Sequence, residues 1–325
     1  MPTDISAVLP HAPSTQAEPR AFYIPSTGAQ AALALLFCAV LLDISYNGFS
    51  ISGYSTPLVT VGVPAFAVFY GWWRNMNPRL LSLVSALATL FATVMLSSII
   101  QYAAAPHGGK ELADHALLAA DRALGLNWFA VVAFFDQSKL FSDILLLFYQ
   151  SIGAQMLTLL VVFMLRRDFT GFDAFISALA FMILGACFVA ALVPAIGVTG
   201  IVDVSFPNTP ILGGRSGQSI YLALRSGALR TINLTEMYGL ITFPSGHAAF
   251  CVLATLAARR IPYAFWPFVA VNTLMLLSTI THGGHYFVDL FAGTLLAVVG
   301  WKVGLAVAAW RPAALAMLRP ARPQA

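Results

Sequence analysis

Two short segments of this sequence carry side chains that could do chemistry together. The first, residues 243–247, reads Phe-Pro-Ser-Gly-His and ends at His247, and the second contains His285 and Asp289. A histidine and an aspartate four residues apart lie on one face of a helix. A carboxylate that accepts the proton of one ring nitrogen leaves the other nitrogen free to attack an electrophile and stabilises the imidazolium that follows. His247 would then give a proton to the departing oxygen.

The residues in front of His247 suit an anion such as phosphate. Ser245 and Gly246 follow a proline at the expected start of a helix, where free backbone N–H groups and the positive end of the helix dipole favour negative charge. Each part has another interpretation. Either histidine could bond a backbone carbonyl or lie at the membrane interface. The His285/Asp289 pair could be a structural hydrogen bond or two metal ligands. The combination favours chemistry on a phosphate ester.

The elements that must position these residues are membrane helices. The chain is 59% hydrophobic and only 9% charged, and its mean hydropathy is +0.82, unlike a soluble domain. Because the bilayer core takes about 20 apolar residues per helix, we predict an all-α integral membrane protein with about eight transmembrane helices. They are expected near residues 29–46, 55–73, 80–102, 142–165, 172–195, 244–258, 263–281 and 286–309. No nucleic-acid-binding pattern is present, so no nucleic-acid partner is expected.

The order of these segments predicts four regions. They are a flexible cytoplasmic tail over residues 1–28, two additional transmembrane helices over 29–79, a six-helix catalytic membrane domain over 80–310 and a second cytoplasmic tail over 311–325. A further apolar piece, from Trp128 to Phe135, is expected to be an interfacial or re-entrant helix. Three cysteines within apolar stretches are expected to be buried thiols, namely Cys38, Cys187 and Cys251.

Arginines in the short loops predict the orientation. Cytoplasmic loops are enriched in Lys and Arg, and pairs of arginines lie in three alternate loops: Arg74 and Arg79, Arg166 and Arg167, and Arg259 and Arg260. Both termini are therefore predicted to be cytoplasmic, and His247 and His285 should converge at the outer face. The absence of long polar insertions and the regular alternation of arginine-containing loops favour a bacterial inner membrane, with the site facing the periplasm.

The two segments resemble motifs of the type 2 phosphatidic-acid phosphatase superfamily, in particular its inositol-phosphorylceramide-synthase-like branch. The second motif of the family looks like Pro-Ser-Gly-His, and the third ends in Gly-x-His-x-x-x-Asp. The matching residues are Pro244 to His247, then Gly283, His285 and Asp289, with Tyr286, Ala292 and Gly293 typical of the branch. A weaker resemblance includes residues 121–125, 149–151, Gln155 and 224–227, and the whole covers about residues 80–305.

The resemblance implies a mechanism without metal or cofactor. His285 would be the nucleophile that forms a phosphohistidine, Asp289 its partner, and His247 the acid for the leaving group. Two features of the family are not found here. Its first motif, a Lys followed later by Arg-Pro, is not recognisable, and Thr279 stands where an arginine is usual.

The phosphate must then be bound by other groups. A guanidinium can hold phosphate oxygens bidentately, and Arg225 and Arg230 are our candidates in the outer loop, where Arg215 also lies. Alternatively, both arginines are ordinary solvated loop charges or contact anionic lipid headgroups. Asp121 and Arg122 could position the outer connection or an acceptor alcohol, or simply cap a helix. Two further expectations concern polar residues near the site. Tyr149, Gln150, Ser151 and Gln155 should line a cavity or bond neighbouring helices, and His282 should be a solvated loop residue or a neighbour that modulates His285.

The predicted function is hydrolysis of a lipid phosphate or diphosphate through a phosphohistidine, with the lipid tail held in the bilayer. The same residues would serve a lipid phosphotransferase if an alcohol acceptor replaced water. Two alternatives remain. One is a transporter or channel in which His247, His285 and Asp289 relay protons or hold a cation, and the other is a non-catalytic scaffold. The sequence does not indicate the lipid, the acceptor or the oligomeric state.

Overall fold

The computed structural model describes residues 22–107, 111–213 and 215–310, without the side chains of Arg215 and Ser216. The predicted tail over 311–325 and most of the predicted N-terminal tail lie outside these residues. The helices are α1 (Thr27–Asn47), α2 (Ser55–Pro57), α3 (Val63–Trp73), α4 (Pro78–Ala104), α5 (Asp114–Ala123), α6 (Trp128–Asp136), α7 (Lys139–Tyr149), α8 (Ile152–Leu165), α9 (Phe169–Leu192), α10 (Val198–Ile201), α11 (Arg215–Ser226), α12 (Gly246–Ala258), α13 (Phe265–Thr281) and α14 (Phe287–Ala309). The strands are β1 (Ser50–Ser52) and β2 (Thr231–Asn233).

The prediction of an all-α membrane protein is confirmed. The structure is 72% helical, and among the described residues four helices are long and apolar enough to cross a membrane, or up to six if each of two bent pairs forms one span. Helices occupy all eight predicted regions, with α2 continuing through a π-helical turn, Leu58–Gly62, into α3. The number of spans stays a prediction, because α12 and α13 are shorter apolar helices.

Apolar side chains on the outside of the bundle fit a lipid environment. Leu42, Phe66, Phe69 and Trp72 are large and exposed along α1 and α3, and a soluble protein rarely exposes an extended apolar surface. The inside is equally apolar, with a core of side chains from α8, α9, α12, α13 and α14. Because both the inner and outer faces are hydrophobic, the helices behave as membrane elements rather than as amphipathic surface helices.

Two helix pairs are sharply bent. The axes of α5 and α6 meet at 83°, and those of α7 and α8 at 45°. The apolar piece predicted near Trp128 is thus α6, joined to a polar helix that the sequence did not indicate. The indole of Trp128 is buried and donates from Nε1 to the carbonyl oxygen of Ile280, at 3.1 Å. This contact fastens the bent pair to the end of α13.

The end of the predicted N-terminal tail is anchored to the bundle. Tyr23 is fully buried, and its hydroxyl donates to Asp173 of α9 at 2.8 Å. The backbone N–H of Ser26 donates to the same carboxylate at 3.0 Å, and the Ser26 hydroxyl caps α1 by accepting from Ala29. Helix α1 then packs against α4, α9 and α14, so it is not peripheral to the predicted six-helix domain.

One end of the bundle gathers the short arginine-containing turns. Asp168 caps α9 and forms a two-point ion pair with Arg260, with N···O distances of 2.8 and 2.9 Å. This pair joins the α8–α9 turn to the α12–α13 turn. Burial raises the pKa of Asp168, but the hydrogen bonds from Arg260 and Gly171 outweigh it and leave the pKa below its usual value.

The connections at the opposite end are more ordered than loops. Strands β1 and β2 pair in parallel, with Ile51 opposite Ile232, and link the loop after α1 to the long connection before α12. Asp43 of α1 contacts the imidazole Nε2 of His107 at 2.7 Å. The prediction of three buried thiols is correct for Cys187 and Cys251 and wrong for Cys38, which is exposed on α1.

Candidate active site

His285 and Asp289 form a close buried pair. The Nδ1 atom of His285 lies 3.1 Å from Oδ2 of Asp289, and their residues are 7% and 0% exposed. Burial lowers the pKa of His285 to about 4, against a smaller opposing effect from a backbone hydrogen bond with Thr242. The imidazole is therefore neutral near pH 7, and a neutral ring has a nitrogen lone pair available for attack.

Local sequence explains why the pair forms. Helix α14 begins at Phe287, and Tyr286 is its N-cap. Asp289 reaches back so that its Oδ2 accepts from the backbone N–H of Tyr286 at 2.9 Å, which is half of a capping box. The carboxylate that holds His285 is thus itself held by the helix start. Its other oxygen, Oδ1, is buried and has no hydrogen-bond partner among the described residues.

His247 lies on the other side of the same site. It is the second residue of α12, and its ring centroid is 6.5 Å from that of His285. Tyr149, the last residue of α7, stacks on the His247 ring at 4.3 Å with an interplanar angle of 9°. The stack fixes the plane of the imidazole. Tyr149 was among several residues that the sequence associated with a cavity without assigning it a role.

The two motif segments touch each other directly. The backbone N–H of Ser245 donates to the carbonyl oxygen of Asp289 at 3.1 Å. Gly293, one turn further along α14, lies against the carbonyl oxygen of Ser245, which a β-carbon at this position would meet. Glycine is therefore required for the starts of α12 and α14 to come this close. The close approach brings His247 and His285 together.

Two cavities near this point share one lining residue. The smaller, of about 170 Å³, is lined by Tyr149, Leu212, Gly213, Gly217, Tyr238, Gly239, Ile241, Thr242, His247, Gly283 and His285. The larger, of about 420 Å³, runs between α4, α8, α9 and the start of α12 and has a mainly apolar lining. Gly239 lines both cavities. A polar chamber that contains both histidines thus adjoins an apolar space inside the bundle.

The predicted phosphate-binding residues are not all in the histidine chamber. Ser245 is the N-cap of α12, and its hydroxyl accepts from the N–H of Ala248 at 3.3 Å. Ser245 and Gly246 line the larger apolar cavity, whereas only His247 of this motif lines the smaller one. The serine side chain is therefore occupied with helix capping, and the geometry gives its predicted contact with phosphate no support.

The two candidate arginines lie away from both histidines. Arg225 donates to the hydroxyl of Tyr221 at 3.4 Å, and Arg230 donates to the carbonyl oxygen of Asn47 at 3.0 Å while lying over the Phe49 ring. Neither lines the histidine chamber, and no lysine or arginine with a described side chain does. Tyrosine and threonine hydroxyls are the polar groups that accompany the two histidines there.

The expectation that His282 is solvated is wrong. It is fully buried, with Nε2 3.3 Å from the hydroxyl of Ser142 and Nδ1 2.9 Å from that of Thr281. Burial lowers its pKa to about 4. Its carbonyl oxygen accepts from the N–H groups of Leu212 and Gly213. His282 thus links the loop that carries His285 to α7 and to the connection before α11. Its alternative role as a neighbour that modulates His285 stays a prediction.

Other residues of the site had no signal in the sequence. Tyr238 and Thr242 come from the long connection before α12 and line the chamber, although neither belongs to a motif. For Gln155 the sequence predicts either a cavity-lining residue or a bond between helices. Its side-chain amide donates to the hydroxyl of Ser151 at 3.0 Å and to the sulfur of Met275, so it links α8 to α13. Within the described residues, no three His, Cys, Asp or Glu side chains come together in a metal-binding arrangement.

Comparison with known proteins identifies the family. No curated protein and no solved structure matches the chain. A family model described as the PAP2 superfamily matches residues 115–303, a stretch that includes both histidine segments. Members of this superfamily are generally phosphatases or phosphotransferases. The narrower inositol-phosphorylceramide-synthase-like branch stays a prediction. Because the match covers more than half of the 325 residues, this chain belongs to the PAP2 superfamily and is a membrane protein of phosphatase type.

Proposed function

We propose that this protein hydrolyses a lipid phosphate or diphosphate through a phosphohistidine on His285. The observation that carries the proposal is the buried His285/Asp289 pair, which opens on the same chamber as His247. One imidazole with its Nδ1 held by a carboxylate and a second imidazole across a small cavity supply the nucleophile and the proton donor of a two-step displacement.

In the first step, Nε2 of His285 attacks phosphorus. The new N–P bond forms as the bond from phosphorus to the leaving oxygen breaks, and His247 gives its proton to that oxygen. Asp289 stabilises the positive charge that develops on the His285 ring. The negative charge of the incoming phosphate favours the protonated form of His247, and the stack with Tyr149 keeps the His247 ring in place.

In the second step, water attacks the phosphohistidine. The proton of the water passes to His247, the new P–O bond forms, and the N–P bond breaks with its electron pair returning to His285. Phosphate leaves, and both imidazoles regain their starting protonation states. An alcohol in place of the water would give transfer instead of hydrolysis, with the same residues and the same intermediate.

A lipid substrate suits the arrangement of the cavities. The larger cavity has a mainly apolar lining and adjoins the histidine chamber at Gly239, so a hydrocarbon tail could lie between the helices while the phosphate reaches His285. We further propose that the chamber faces outward, to the periplasm of a bacterial inner membrane. The arginine-containing turns at the other end, joined by Asp168 and Arg260, support this orientation.

The test is phosphate release by the full-length protein purified in detergent. Phosphatidic acid, an isoprenyl diphosphate and a sphingoid phosphate are supplied with and without EDTA, and His285→Ala is compared with His115→Ala, which removes an exposed histidine. We expect EDTA-insensitive release that His285→Ala reduces by more than about a thousandfold and His115→Ala leaves unchanged. Activity that survives His285→Ala would overturn the mechanism. Labelled headgroup transfer without phosphate release would replace hydrolysis by transfer.

A further inference from the structure

Helix α5 carries two buried carboxylates that point at the start of α14. Asp121 is fully buried and accepts from the backbone N–H groups of Phe287 and Val288, at 2.8 and 3.0 Å. These are the first two residues of α14, whose N–H groups have no partner within the helix. A side chain 166 residues away in sequence thus completes the cap of the helix that begins beside the nucleophile.

Asp114 binds Tyr286, the N-cap of the same helix. It is seven residues before Asp121, so the two carboxylates lie two turns apart on one face of α5. The hydroxyl of Tyr286 donates to Asp114 at 3.0 Å. Burial, and then the charge of Asp114, raise the pKa of Tyr286, so the hydroxyl keeps the proton that it donates.

A series of hydrogen bonds also links Asp114 to Gly284, the residue before the nucleophile. It accepts from the N–H groups of Ile196 at 3.1 Å and Gly197 at 2.8 Å. The next N–H, from Val198, donates to the carbonyl oxygen of Gly284 at 3.0 Å. Gly284 and Tyr286 flank His285, so hydrogen bonds that lead back to Asp114 reach both sides of the nucleophile.

Burial of two carboxylates without an oppositely charged partner costs free energy. In the described part of the chain neither Asp114 nor Asp121 forms an ion pair with a lysine or arginine, and backbone and tyrosine donors alone compensate their charge. Ordinary capping is done by an exposed Ser, Thr, Asp or Asn of the helix itself. Charged acceptors make stronger hydrogen bonds than neutral ones. The two carboxylates therefore hold the backbone around His285 and Asp289 firmly in place.

We infer that Asp121 and Asp114 are positioning residues, which hold residues 284–288 so that the His285 ring meets Asp289 and phosphorus in the geometry for attack. The inference rests on the proposed function, since it concerns the rate at which His285 reacts. A misplacement of about 1 Å at a reacting group can cost a hundredfold in rate. Neither carboxylate lines the histidine chamber, so their loss should change the rate and not substrate binding.

The test compares Asp121→Asn, Asp121→Ala and Tyr286→Phe in the full-length protein. Asp121→Asn keeps one acceptor oxygen. Tyr286→Phe removes only the hydroxyl that donates a hydrogen bond to Asp114. The matched control is Asp168→Asn, which weakens a helix cap at the opposite end. For each variant, kcat, KM, the rate of phosphohistidine formation after acid-free quenching and the melting temperature are measured with the fastest substrate of the panel.

We expect kcat and phosphohistidine formation to fall about tenfold to a hundredfold in Asp121→Asn and Tyr286→Phe, with KM within about twofold. Asp121→Ala should be slower than Asp121→Asn, and Asp168→Asn should lower the melting temperature without changing kcat. If Asp121→Asn does not fold, Tyr286→Phe decides alone. Unchanged kcat in folded variants, while His285→Ala is inactive, would overturn this inference only, whereas activity in His285→Ala would overturn the proposed function.

Discussion

At the scale of the residue, the proposed chemistry depends on an imidazole that is kept neutral inside the protein. His285 is buried beside Asp289, and burial disfavours its charged form. The ring can therefore act as a nucleophile at a pH where a solvent-exposed histidine would be half protonated. The carboxylate sets which nitrogen is free, because Nδ1 is engaged with Oδ2 of Asp289 and Nε2 is left to react.

The pH dependence of kcat/KM follows from the lowered pKa. Protonated His285 cannot attack, so activity falls as pH drops through the pKa of the folded enzyme, about 4 instead of the ordinary 6.5. The acid limb of kcat/KM that belongs to His285 should therefore lie near 4 and not near 6.5. At His285 the unfolded chain binds the proton more readily over the same range, so the contribution of this residue to stability decreases there as pH falls. Melting temperatures measured at each pH separate the protonation of His285 from the loss of folded protein. An acid limb of kcat/KM near 6.5 would contradict the prediction.

The outer arginines give a second prediction at this scale. Arg225 contacts Tyr221, and Arg230 contacts Asn47 and Phe49. Since neither lines the histidine chamber, Arg225→Ala and Arg230→Ala should each change kcat/KM by less than about threefold, as expected for charges that do not meet the transition state. Kinetics of the two variants beside wild type test this. A loss of about a hundredfold in either would restore the phosphate-binding role that the sequence suggested.

At the scale of the element, the site is the meeting of two helix starts. Helices α12 and α14 both begin in the motif segments, and the hydrogen bond from Ser245 to Asp289 ties them. The helix ends carry unsatisfied backbone groups, which Ser245 satisfies in α12 and Asp289 and Asp121 satisfy in α14. The same residues thus serve helix capping and the placement of the histidines.

The glycine between these helices predicts a packing effect. In Gly293→Ala the new β-carbon would meet the carbonyl oxygen of Ser245, so α12 and α14 must move apart. We expect a destabilisation of about 1–3 kcal/mol from overpacking together with a lower kcat. Gly153→Ala in α8 is the control, because nothing lies within 4 Å of its added β-carbon, and it should be neutral or slightly stabilising. The test measures the free energy of unfolding and kcat of Gly293→Ala and Gly153→Ala. Equal stability and equal kcat in the two variants would contradict the close packing of α12 and α14.

At the scale of the whole molecule, the bundle separates two kinds of surface. One end holds the arginine-containing turns, linked by Asp168 and Arg260. The other holds the histidine chamber beneath the connection that contains α11 and β2. The enrichment of cytoplasmic loops in Lys and Arg predicts that the arginine-containing end faces the cytoplasm, and the outward-facing chamber that we propose follows from this prediction.

Thiol labelling tests this orientation. In a Cys38→Ser background, Glu236→Cys places a thiol at an exposed position of the outer connection, and Tyr263→Cys places one in the α12–α13 turn, where the tyrosine is 97% exposed. A membrane-impermeant maleimide should label Glu236→Cys in intact cells and Tyr263→Cys only after permeabilisation. The Cys38→Ser protein without a new thiol measures the background from the two buried cysteines. The reverse pattern would refute the outward-facing site.

The sequence by itself determined the features that depend on neighbouring residues. Apolar runs long enough for a bilayer predicted the helices, and the four-residue spacing of His285 and Asp289 predicted their contact, which the structure has at 3.1 Å. The Pro-Ser-Gly-His segment predicted a helix start, and Ser245 does cap α12. Such features are local, because helix geometry and capping involve residues within about one turn of each other.

Only the tertiary structure decided what lies around these residues. It buried His282, engaged the Ser245 hydroxyl in a cap, and directed Asp114 and Asp121 to the start of α14 across 172 and 166 residues of chain. None of these contacts has a periodic signal, because they arise when helices that are distant in sequence pack side by side and buried polar groups must find partners. The motif residues therefore indicated the chemistry, whereas the packing of α5 and α7 against α13 and α14 determined which other side chains support it.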